Sequence, residues 1–493
     1  MKIALIISAI SLASRLLSLV SVQVYMAFFG PQTPQMEVYT FALNIPNIIF
    51  NVLGTSITAI VVPIYSSLIE KNKEEAKTFV IKMFLIVMSV VLIFMAIGFI
   101  IAPILVGATY FTGYYETFAI TALRIMLFSM FFYGLNYLLQ GVLHSHNKFL
   151  LAAVVTIPTS IVIISYTLIL GEYFGVYGLI YATVIAFSLQ GIILAPKALK
   201  LIFSKNYKVS NIKNFKTDEN IKKAKKMLGP LIISASSFQI MSIFNTTMAT
   251  HFRIATIQAF VMNLVLVASL SVIYSITSVY LPKLSILYEK DRNEYEKTLY
   301  KIINIILVLM IPASILFVFL RVEIISLLVK WGNFGIEEAY ITANLLGIFG
   351  LAAAPLGIKE ACDRAYYAQK NSKTPSIFGF FIMLVAIVFT LSLINIFEVY
   401  TMAIAYVVGF SIGSLCLLIS LKIKLLKVLS NLIKIIFCAI CMAIVLILVP
   451  SIYISTTIIF LDRLLTLAIP SVIGILAYSF LMFIVYKITK SEN

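Results

Sequence analysis

The chain has 493 residues, of which 61% are hydrophobic and only 12% are charged. A soluble protein of this length needs polar residues over its surface, so this composition excludes a soluble globular fold and predicts a protein that crosses a membrane. The formal net charge of +17 would suit nucleic acid, but the basic residues lie in short loops between apolar segments, where they set membrane orientation. We therefore expect membrane lipids around the chain and no nucleic-acid partner.

The apolar segments are long enough to cross a hydrocarbon core, which takes about 20 residues. About fourteen of them follow one another, at residues 3–28, 37–67, 79–106, 117–143, 149–170, 174–201, 227–250, 254–282, 299–320, 338–365, 376–396, 399–421, 431–450 and 464–486. The first resembles a signal peptide, but it lacks an A-x-A cleavage site and is too long, so we expect it to remain as a span. Continuous helices satisfy their own backbone groups in lipid, so the sequence predicts an all-α integral membrane protein of about 14 transmembrane helices.

Alternate loops between these segments are rich in lysine and arginine. The basic loops are Lys71–Lys77, His144–Lys148, Lys205–Lys226, Lys283–Lys301, Gln369–Lys373 and Lys422–Lys434. Positively charged loops stay in the cytoplasm, so this pattern and the even number of spans predict that both termini are cytoplasmic.

Two stretches of the chain, 219 residues apart, repeat each other. Without gaps, nine of twenty positions are identical between Ser56–Glu75 and Ser275–Glu294, and each stretch is the end of an apolar segment followed by a charged loop. The offset places spans 1–6 over spans 7–12 with both charged loops on the same side of the membrane, so the repeat is parallel. Two such repeats are typical of transporters whose substrate site lies between the halves.

The repeat also predicts the domain organisation. We expect an N-lobe with the first six spans, a basic cytoplasmic linker, a C-lobe with the next six spans, and a last part with two C-terminal helices, at residues 1–203, 204–226, 227–421 and 422–493 respectively. The many lysines of the linker suit the anionic headgroups of the cytoplasmic leaflet.

The sequence contains no recognisable catalytic or metal-binding motif. There are three histidines. The sequence has no HExxH motif, phosphate loop or GxSxG motif, and no two cysteine pairs with the spacing of a zinc site. Cys438 and Cys441 have CxxC spacing without a second pair, so we interpret them as small apolar helix residues. We expect that the protein is not an enzyme and uses no metal or cofactor.

Three charged residues within or at the end of predicted spans are candidates for a functional role. Arg15 is near the middle of the first span, where a guanidinium facing lipid costs at least about 2.5–3.5 kcal/mol, so it should face a wet cavity or a partner. Its fork of donors suits a diphosphate, and the alternative is a structural bond to carbonyls or a neighbouring acid. Arg124 either snorkels or lines an outward opening. Glu37 is either a gate or substrate contact, or a solvated carboxylate at the membrane interface.

Four charged residues cluster near the cytoplasmic end of span 10. Lys359 and Asp363 are four residues apart, as are Glu360 and Arg364, so each pair can meet on one helix face. We expect a gate or structural charge cluster that closes or braces the cytoplasmic side, and direct substrate contact is the alternative.

Several short strings are spread along the chain from span 1 to span 11. They are Ser14-Arg15-Leu16-Leu17, Phe28-Phe29-Gly30, Ile45-Pro46-Asn47, Val62-Pro63-Ile64-Tyr65, and Arg364-Ala365-Tyr366-Tyr367-Ala368 followed by Lys373-Thr374-Pro375. In order and spacing they resemble the MurJ/MviN family of lipid II flippases, within the multidrug/oligosaccharidyl-lipid/polysaccharide exporter superfamily.

This resemblance implies a function. It implies a flippase that moves polyprenyl-diphosphate sugars of the lipid II type by alternating access, for peptidoglycan or polysaccharide synthesis. The substrate partner would be a lipid-linked sugar diphosphate, and the membrane potential or a coupling ion would reset the lobes. We expect a monomer in the bacterial inner membrane.

The chain departs from the family pattern where the family carries cavity arginines. Ser21 and Val22, Phe50 and Asn51, and about Met262 and Asn263 stand at those places, and Glu37 stands in the place of a family aspartate. We therefore expect a less positive cavity, in which neutral amides replace some of the missing charge. The candidate substrate-binding residues are Arg15, Glu37, Asn47, Asn51, Arg124 and Asn263.

Two other functions remain open from the sequence. One is an exporter of drugs or metabolites from the same superfamily, which would need an acidic cation site, whereas spans 1, 7 and 8 have no central Asp or Glu. The other is a membrane scaffold that has lost transport, which the missing arginines would permit.

Overall fold

The computed structural model describes residues 2–146, 148–203, 218–329, 333–369, 371, 373–421, 425–448 and 459–491. Throughout these residues the chain forms helices joined by turns and short connections, without a strand. Contacts divide the chain into two compact units, Met1–Thr256 and Ile257–Asn493.

The first unit contains nine helices within its described residues. They are α1 (Lys2–Phe29), α2 (Pro34–Lys71), α3 (Lys73–Gly107), α4 (Tyr114–Leu127), α5 (Ser129–Ser145), α6 (Phe149–Val154), α7 (Thr156–Ser165), α8 (Gly171–Ile202) and α9 (Glu219–Thr250), with a π-helical turn at Tyr166–Leu170 between α7 and α8. Gly30 ends the first of them with φ +81°, a conformation that glycine adopts without strain, and Pro34 begins the second, where its missing N–H costs nothing.

The second unit contains the remaining helices of the described chain. They are α10 (Ala255–Lys290), which begins at the end of the first unit, α11 (Arg292–Phe319), α12 (Arg321–Val329), α13 (Ile336–Gly350), α14 (Ala353–Ala368), α15 (Lys373–Phe397), α16 (Thr401–Ser420), α17 (Leu425–Leu448) and α18 (Ile459–Ser491), with a 3-10 turn at Glu398–Tyr400. The nine-residue helix α12 lies between the predicted spans 299–320 and 338–365, where we predicted no helix.

Nine helical stretches within the described residues are long and apolar enough to cross a membrane. Two of them, Thr156–Ile202 and Lys373–Ser420, have 47 and 48 residues, and each is long enough for the two crossings that the sequence predicts there. Positive φ angles interrupt both stretches, at Gly175 and Glu398. The other predicted spans, 3–28, 37–67 and 227–250, coincide with α1, α2 and α9.

The predicted all-helical membrane fold is therefore confirmed. Large apolar side chains stay exposed along the spans, among them Ile100, Ile104 and Leu448, each more than 70% exposed, as lipid-facing residues should be. The lobe boundaries 1–203, 227–421 and 422–493 stay a prediction, and most of the predicted linker, residues 204–217, lies outside the described part.

Close helix packing in each unit depends on glycine. A Cβ atom on Gly141 of α5 would lie 2.9 Å from Cγ1 of Val61 on α2, and one on Gly409 of α16 would lie 3.0 Å from the carbonyl oxygen of Ile382 on α15. Small residues let helix backbones approach where lipid provides no hydrophobic drive.

The junction between the second and third long helices of each repeat has one geometry. Asn72, between α2 and α3, and Asp291, between α10 and α11, have φ/ψ of −154°/105° and −150°/102°. Each side chain accepts hydrogen bonds from the backbone N–H groups two and three residues later, which is the N-cap arrangement. The two caps are 219 residues apart, so the repeat seen in the sequence is also a repeat of local structure.

Candidate functional site

Glu37 lies in the first turn of α2 and is fully buried, with 0% of its surface exposed. Its carboxylate accepts hydrogen bonds from the backbone N–H of Ala255 at 2.9 Å and of Thr256 at 3.1 Å. These are the first residues of α10, whose N-terminal N–H groups have no partner within the helix and carry partial positive charge. Glu37 thus binds a helix N-terminus and is not solvated, and a contact with substrate remains a prediction.

Glu37 begins a row of polar residues on one face of α2. The row comprises Glu37, Thr40, Asn44 and Asn47, spaced three, four and three residues apart, which places them above one another on a helix. Asn51 continues the spacing in the sequence, but its side chain lies outside the described residues. We call the four described residues the α2 polar row.

The α2 polar row is bonded to neighbouring elements of the first unit. The hydroxyls of Thr40 and Thr256 are 2.7 Å apart, and Asn44 Nδ2 donates to Thr246 Oγ1 of α9 at 3.4 Å. Asn47 Oδ1 accepts a hydrogen bond from the Tyr133 hydroxyl of α5. Interhelical hydrogen bonds of this kind hold membrane helices together, so the row fixes α2 against its neighbours.

The two predicted arginines of the first unit form no bond with the described α2 polar row. Arg15 is exposed on α1, and its side chain makes no hydrogen bond or ion pair to any described residue. Arg124 is half-buried on α4, and its guanidinium lies over the ring of Phe99 on α3, 5.9 Å from the centroid. Its buried Nε has no partner in the described part of the chain, so both arginines keep donors for a ligand.

Asn263 is the candidate residue of the second unit. It is exposed on α10, and its Nδ2 donates to the carbonyl oxygen of Ala259, one turn earlier in the same helix, at 2.9 Å. This bond stays within α10. Among the described residues, the Asn263 side chain forms no hydrogen bond to another helix.

The four charged residues of α14 meet as their spacing predicts. Lys359 Nζ lies 2.6 Å from Asp363 Oδ2 and 3.8 Å from Glu360 Oε1, and an Arg364 guanidinium nitrogen lies 3.8 Å from Glu360 Oε2. Arg364 also lies over the ring of Tyr274, 5.7 Å from the centroid. Two cations face two anions, which reduces the cost of burying each charge. Gating by this cluster stays a prediction.

A buried polar network in the first unit was not predicted. Gln140 Nε2 donates to Asn136 Oδ1 at 3.1 Å, Asn136 Nδ2 donates to Gln190 Oε1 at 2.5 Å, and Gln190 Nε2 donates to Thr159 Oγ1 at 2.7 Å. The network joins α5, α7 and α8. Its amides bond to one another, so it stabilises helix packing and is a poor candidate for ligand binding.

A buried ion pair at the start of α9 was also missed. Lys82 of α3, whose side chain is 4% exposed, donates to Asp218 Oδ2 at 2.7 Å, and Asp218 also caps α9 through the N–H groups of Asn220 and Ile221. Burial would raise the pKa of Asp218, but these hydrogen bonds and the Lys82 charge outweigh it and lower the pKa below its ordinary value. The only signal in the sequence was a lysine inside the predicted third span.

No group of three or more His, Cys, Asp or Glu residues that could hold a metal ion occurs among the described side chains. The four cysteines are free thiols.

Comparison with known proteins relates this chain to one group of membrane transporters. A chain titled "Lipid II flippase MurJ, inward closed conformation" superposes with a TM-score of 0.80 at 22% identity, covering 98% of this chain and 99% of that one. An inward-facing multidrug resistance transporter of the MATE family gives a TM-score of 0.71 at 14% identity, covering 86% of this chain and 98% of that one. At these identities the superpositions show a shared fold.

Sequence comparison is more specific. The "Probable lipid II flippase MurJ" of Rickettsia prowazekii is 25% identical over 385 residues, covering 75% of this chain and 74% of the relative. The protein of the same name from Aquifex aeolicus is 25% identical over 361 residues, covering 71% and 69%. The family model described as lipid II flippase MurJ matches residues 26–485. Because this match leaves out only the first 25 and the last eight residues, the chain belongs to the lipid II flippase MurJ family.

Proposed function

We propose that this protein translocates a polyprenyl-diphosphate sugar of the lipid II type across the bacterial inner membrane by alternating access. The observation that carries the proposal is the match of the lipid II flippase family model over residues 26–485. The fold by itself would not suffice, since a multidrug transporter shares it with a TM-score of 0.71. We place both termini in the cytoplasm because the basic loops alternate along the chain.

Arg15 is the residue that we assign to the diphosphate. It is exposed and has no partner among the described residues, whereas the polar groups of the α2 polar row bond to neighbouring elements. A guanidinium presents a planar fork of donors that matches phosphate oxygens. A cation near the middle of a span also offsets part of the cost of moving a diphosphate through a medium of low dielectric constant.

We assign supporting roles to the other candidates. Arg124 retains an unbonded Nε and Asn263 an outward amide, so both can add hydrogen bonds to a sugar or phosphate. Glu37 and Asn47 hold α2 in place. The α14 cluster braces the cytoplasmic side, where the balance of its two cations and two anions reduces the cost of burying it. The membrane potential, acting on the charge of the substrate, would reset the cycle.

Complementation of a bacterium depleted of its lipid II flippase tests this function. The wild-type chain should restore growth and the exposure of lipid II headgroups at the outer surface. Arg15→Ala should abolish both at normal protein level, because removing the charge makes the first span easier to insert. Arg15→Lys should retain part of the activity, since a point charge lacks the bidentate geometry.

Arg292→Ala is the matched control. Arg292 lies in the first turn of α11 and stacks on Tyr288, 4.6 Å from the ring centroid, so its loss should leave transport unchanged. Full activity of Arg15→Ala at normal expression would remove the diphosphate role of Arg15. Failure of the wild-type chain itself, expressed and inserted, would instead favour a drug exporter or a scaffold.

A further inference from the structure

The second unit contains a cavity of about 500 Å³ between α11, α17 and α18. One part of its wall is polar and is formed by Tyr300, Lys301, Asn304, Asn431 and Lys434, and the other lining side chains are all aliphatic or methionine. No carboxylate lines the cavity among the described residues. An apolar cavity with two cationic groups on its wall is suited to bind an anionic amphiphile.

The polar part of the wall lies at the predicted cytoplasmic surface. Lys301 ends the basic loop before the ninth predicted span, and Lys434 ends the basic loop before the thirteenth. Lipid phosphates lie at this depth, and each lysine near an anionic surface strengthens binding to it about fivefold. Neither lysine forms an ion pair with a described residue, so both positive charges are available to an anion.

Hydrogen bonds hold the walls of the cavity together. Asn431 Nδ2 donates to the Tyr300 hydroxyl at 2.7 Å, which joins α17 to α11. The Tyr478 hydroxyl donates to the carbonyl oxygen of Val308 at 3.0 Å, which joins α18 to α11 at the apolar part. A ligand would therefore enter a preformed space and pay little to order it.

Asn304 indicates a ligand that also carries a hydrogen-bond donor. Its Oδ1 is buried and has no partner in the described part of the chain, although it belongs to a side chain that lines the cavity. A buried acceptor without a donor is destabilising, because it has lost its hydrogen bond to water. A hydroxyl on the headgroup of a bound lipid would supply that donor.

Lys82 of the first unit is the repeat counterpart of Lys301, and there the protein itself supplies the anion. Lys82 lies ten residues after the Asn72 cap, as Lys301 lies ten residues after the Asp291 cap. Lys82 is buried against Asp218 at 2.7 Å, whereas Lys301 is exposed and lines the same cavity as a second lysine, Lys434. Two lysines without a carboxylate leave their positive charges available to an anion from outside the chain.

We propose that this cavity binds one anionic phospholipid of the cytoplasmic leaflet, with its phosphodiester between Lys301 and Lys434, a headgroup hydroxyl on Asn304 and an acyl chain along the apolar wall. Phosphatidylglycerol has this combination of groups. The site is separate from the diphosphate site that we assign to Arg15, and it does not depend on the identity of the transported substrate.

Native mass spectrometry of the purified full-length protein in detergent tests the proposal. Phosphatidylglycerol and phosphatidylcholine of equal chain length are titrated separately. Phosphatidylglycerol should bind at least about tenfold more tightly, and Lys301→Gln/Lys434→Gln should weaken it by roughly tenfold to thirtyfold, as expected for two lysines. Lys283→Gln/Lys290→Gln makes the same change in net charge at exposed positions of α10 and should have no effect.

A steric variant keeps the test valid if the double lysine variant does not fold. Leu309 lines the cavity and is 44% exposed, so Leu309→Trp should be tolerated while it fills the apolar part and weakens phosphatidylglycerol binding. Equal binding of the two phospholipids, or unchanged binding in both test variants, would overturn the proposal. Competition by millimolar inorganic phosphate would show a simple anion site, and displacement by equimolar polyprenyl monophosphate would show a site for the transported lipid; either result would overturn it too.

Discussion

The helix pair α2–α3 of the first unit and the pair α10–α11 of the second are structural repeats that differ in their polar contacts. The buried positions coincide at the offset of 219, as in Met83 and Ile302, Val87 and Ile306. The cap residues Asn72 and Asp291 also coincide. Packing and capping are thus shared by the two copies.

The polar positions diverge between the same two pairs. The α2 polar row, Glu37, Thr40, Asn44 and Asn47, corresponds to Thr256, Ala259, Asn263 and Leu266 on α10. Asn44 bonds to another helix, whereas its counterpart Asn263 bonds only to its own helix among the described residues and stays exposed. Polar bonds to its neighbours therefore fix α2, whereas α10 leaves the amide of Asn263 available to a ligand.

Breaking the buried ion pair of the first unit should have the largest effect on stability. Lys82→Met keeps the side-chain volume but leaves Asp218 without its cation, and removal of one partner of a buried pair costs about 3 kcal/mol. The equivalent change in the second unit, Lys301→Met, should cost less than about 0.5 kcal/mol, because Lys301 is exposed. SDS-induced unfolding of both variants in micelles measures the difference, and equal losses would contradict it.

The same pair predicts a dependence on pH. The pKa of Asp218 is lowered in the folded protein, so its stabilising contribution is fully present above the ordinary carboxyl pKa of about 3.9 and is lost as the pH falls through the lower folded value. Asp218→Asn should remove this contribution, so the variant should lose less stability than the wild type between pH 5 and pH 3, as estimated from that ordinary pKa. A wild-type profile that keeps its shape in Asp218→Asn would argue against the pair.

The third prediction concerns the carboxylate that binds the start of α10. Glu37→Gln replaces one acceptor oxygen by a donor that cannot bond to an N–H group, and it removes the negative charge from a helix N-terminus, at a cost of about 2 kcal/mol. Glu116→Gln, at an exposed position in the first turn of α4, is the control and should stay within about 0.5 kcal/mol. The same unfolding assay applies, and a Glu37→Gln variant as stable as the control would show that the buried contact is dispensable.

The fold was predictable because its signals are local. A span is recognised by about 20 apolar residues in succession, and a helix junction by Asn72 or Asp291 before acidic residues. The nine-residue helix α12 was missed because it is far shorter than a span. The spacing of Glu37, Thr40 and Asn44 could have been read from the sequence.

The partners of these polar residues could not be predicted. Glu37 bonds to Ala255, 218 residues away, and Lys82 bonds to Asp218, 136 residues away. Such contacts are fixed by the packing of whole helices, which neither hydropathy nor spacing reports. The two lysines of the cavity, Lys301 and Lys434, were visible only as members of two separate basic loops.

The smallest expected effects come from the amides of the two repeats, and they test whether α2 and α10 have different tasks. Asn44→Ala/Asn47→Ala removes two interhelical hydrogen bonds and should cost about 1–2 kcal/mol, since such bonds contribute about 0.6 kcal/mol on average and up to about 1.7 kcal/mol. Asn263→Ala removes only a bond within its own helix, so its stability should change by less than about 0.5 kcal/mol. If the exposed amide contacts the transported headgroup, Asn263→Ala should nevertheless lower headgroup translocation several-fold, by the net value of one hydrogen bond. Unfolding and translocation must be measured on the same preparations, because a loss of protein would imitate a loss of transport. An Asn263→Ala variant that is destabilised as much as the α2 double variant, with transport falling only in proportion, would mean that both helices use their amides for packing alone.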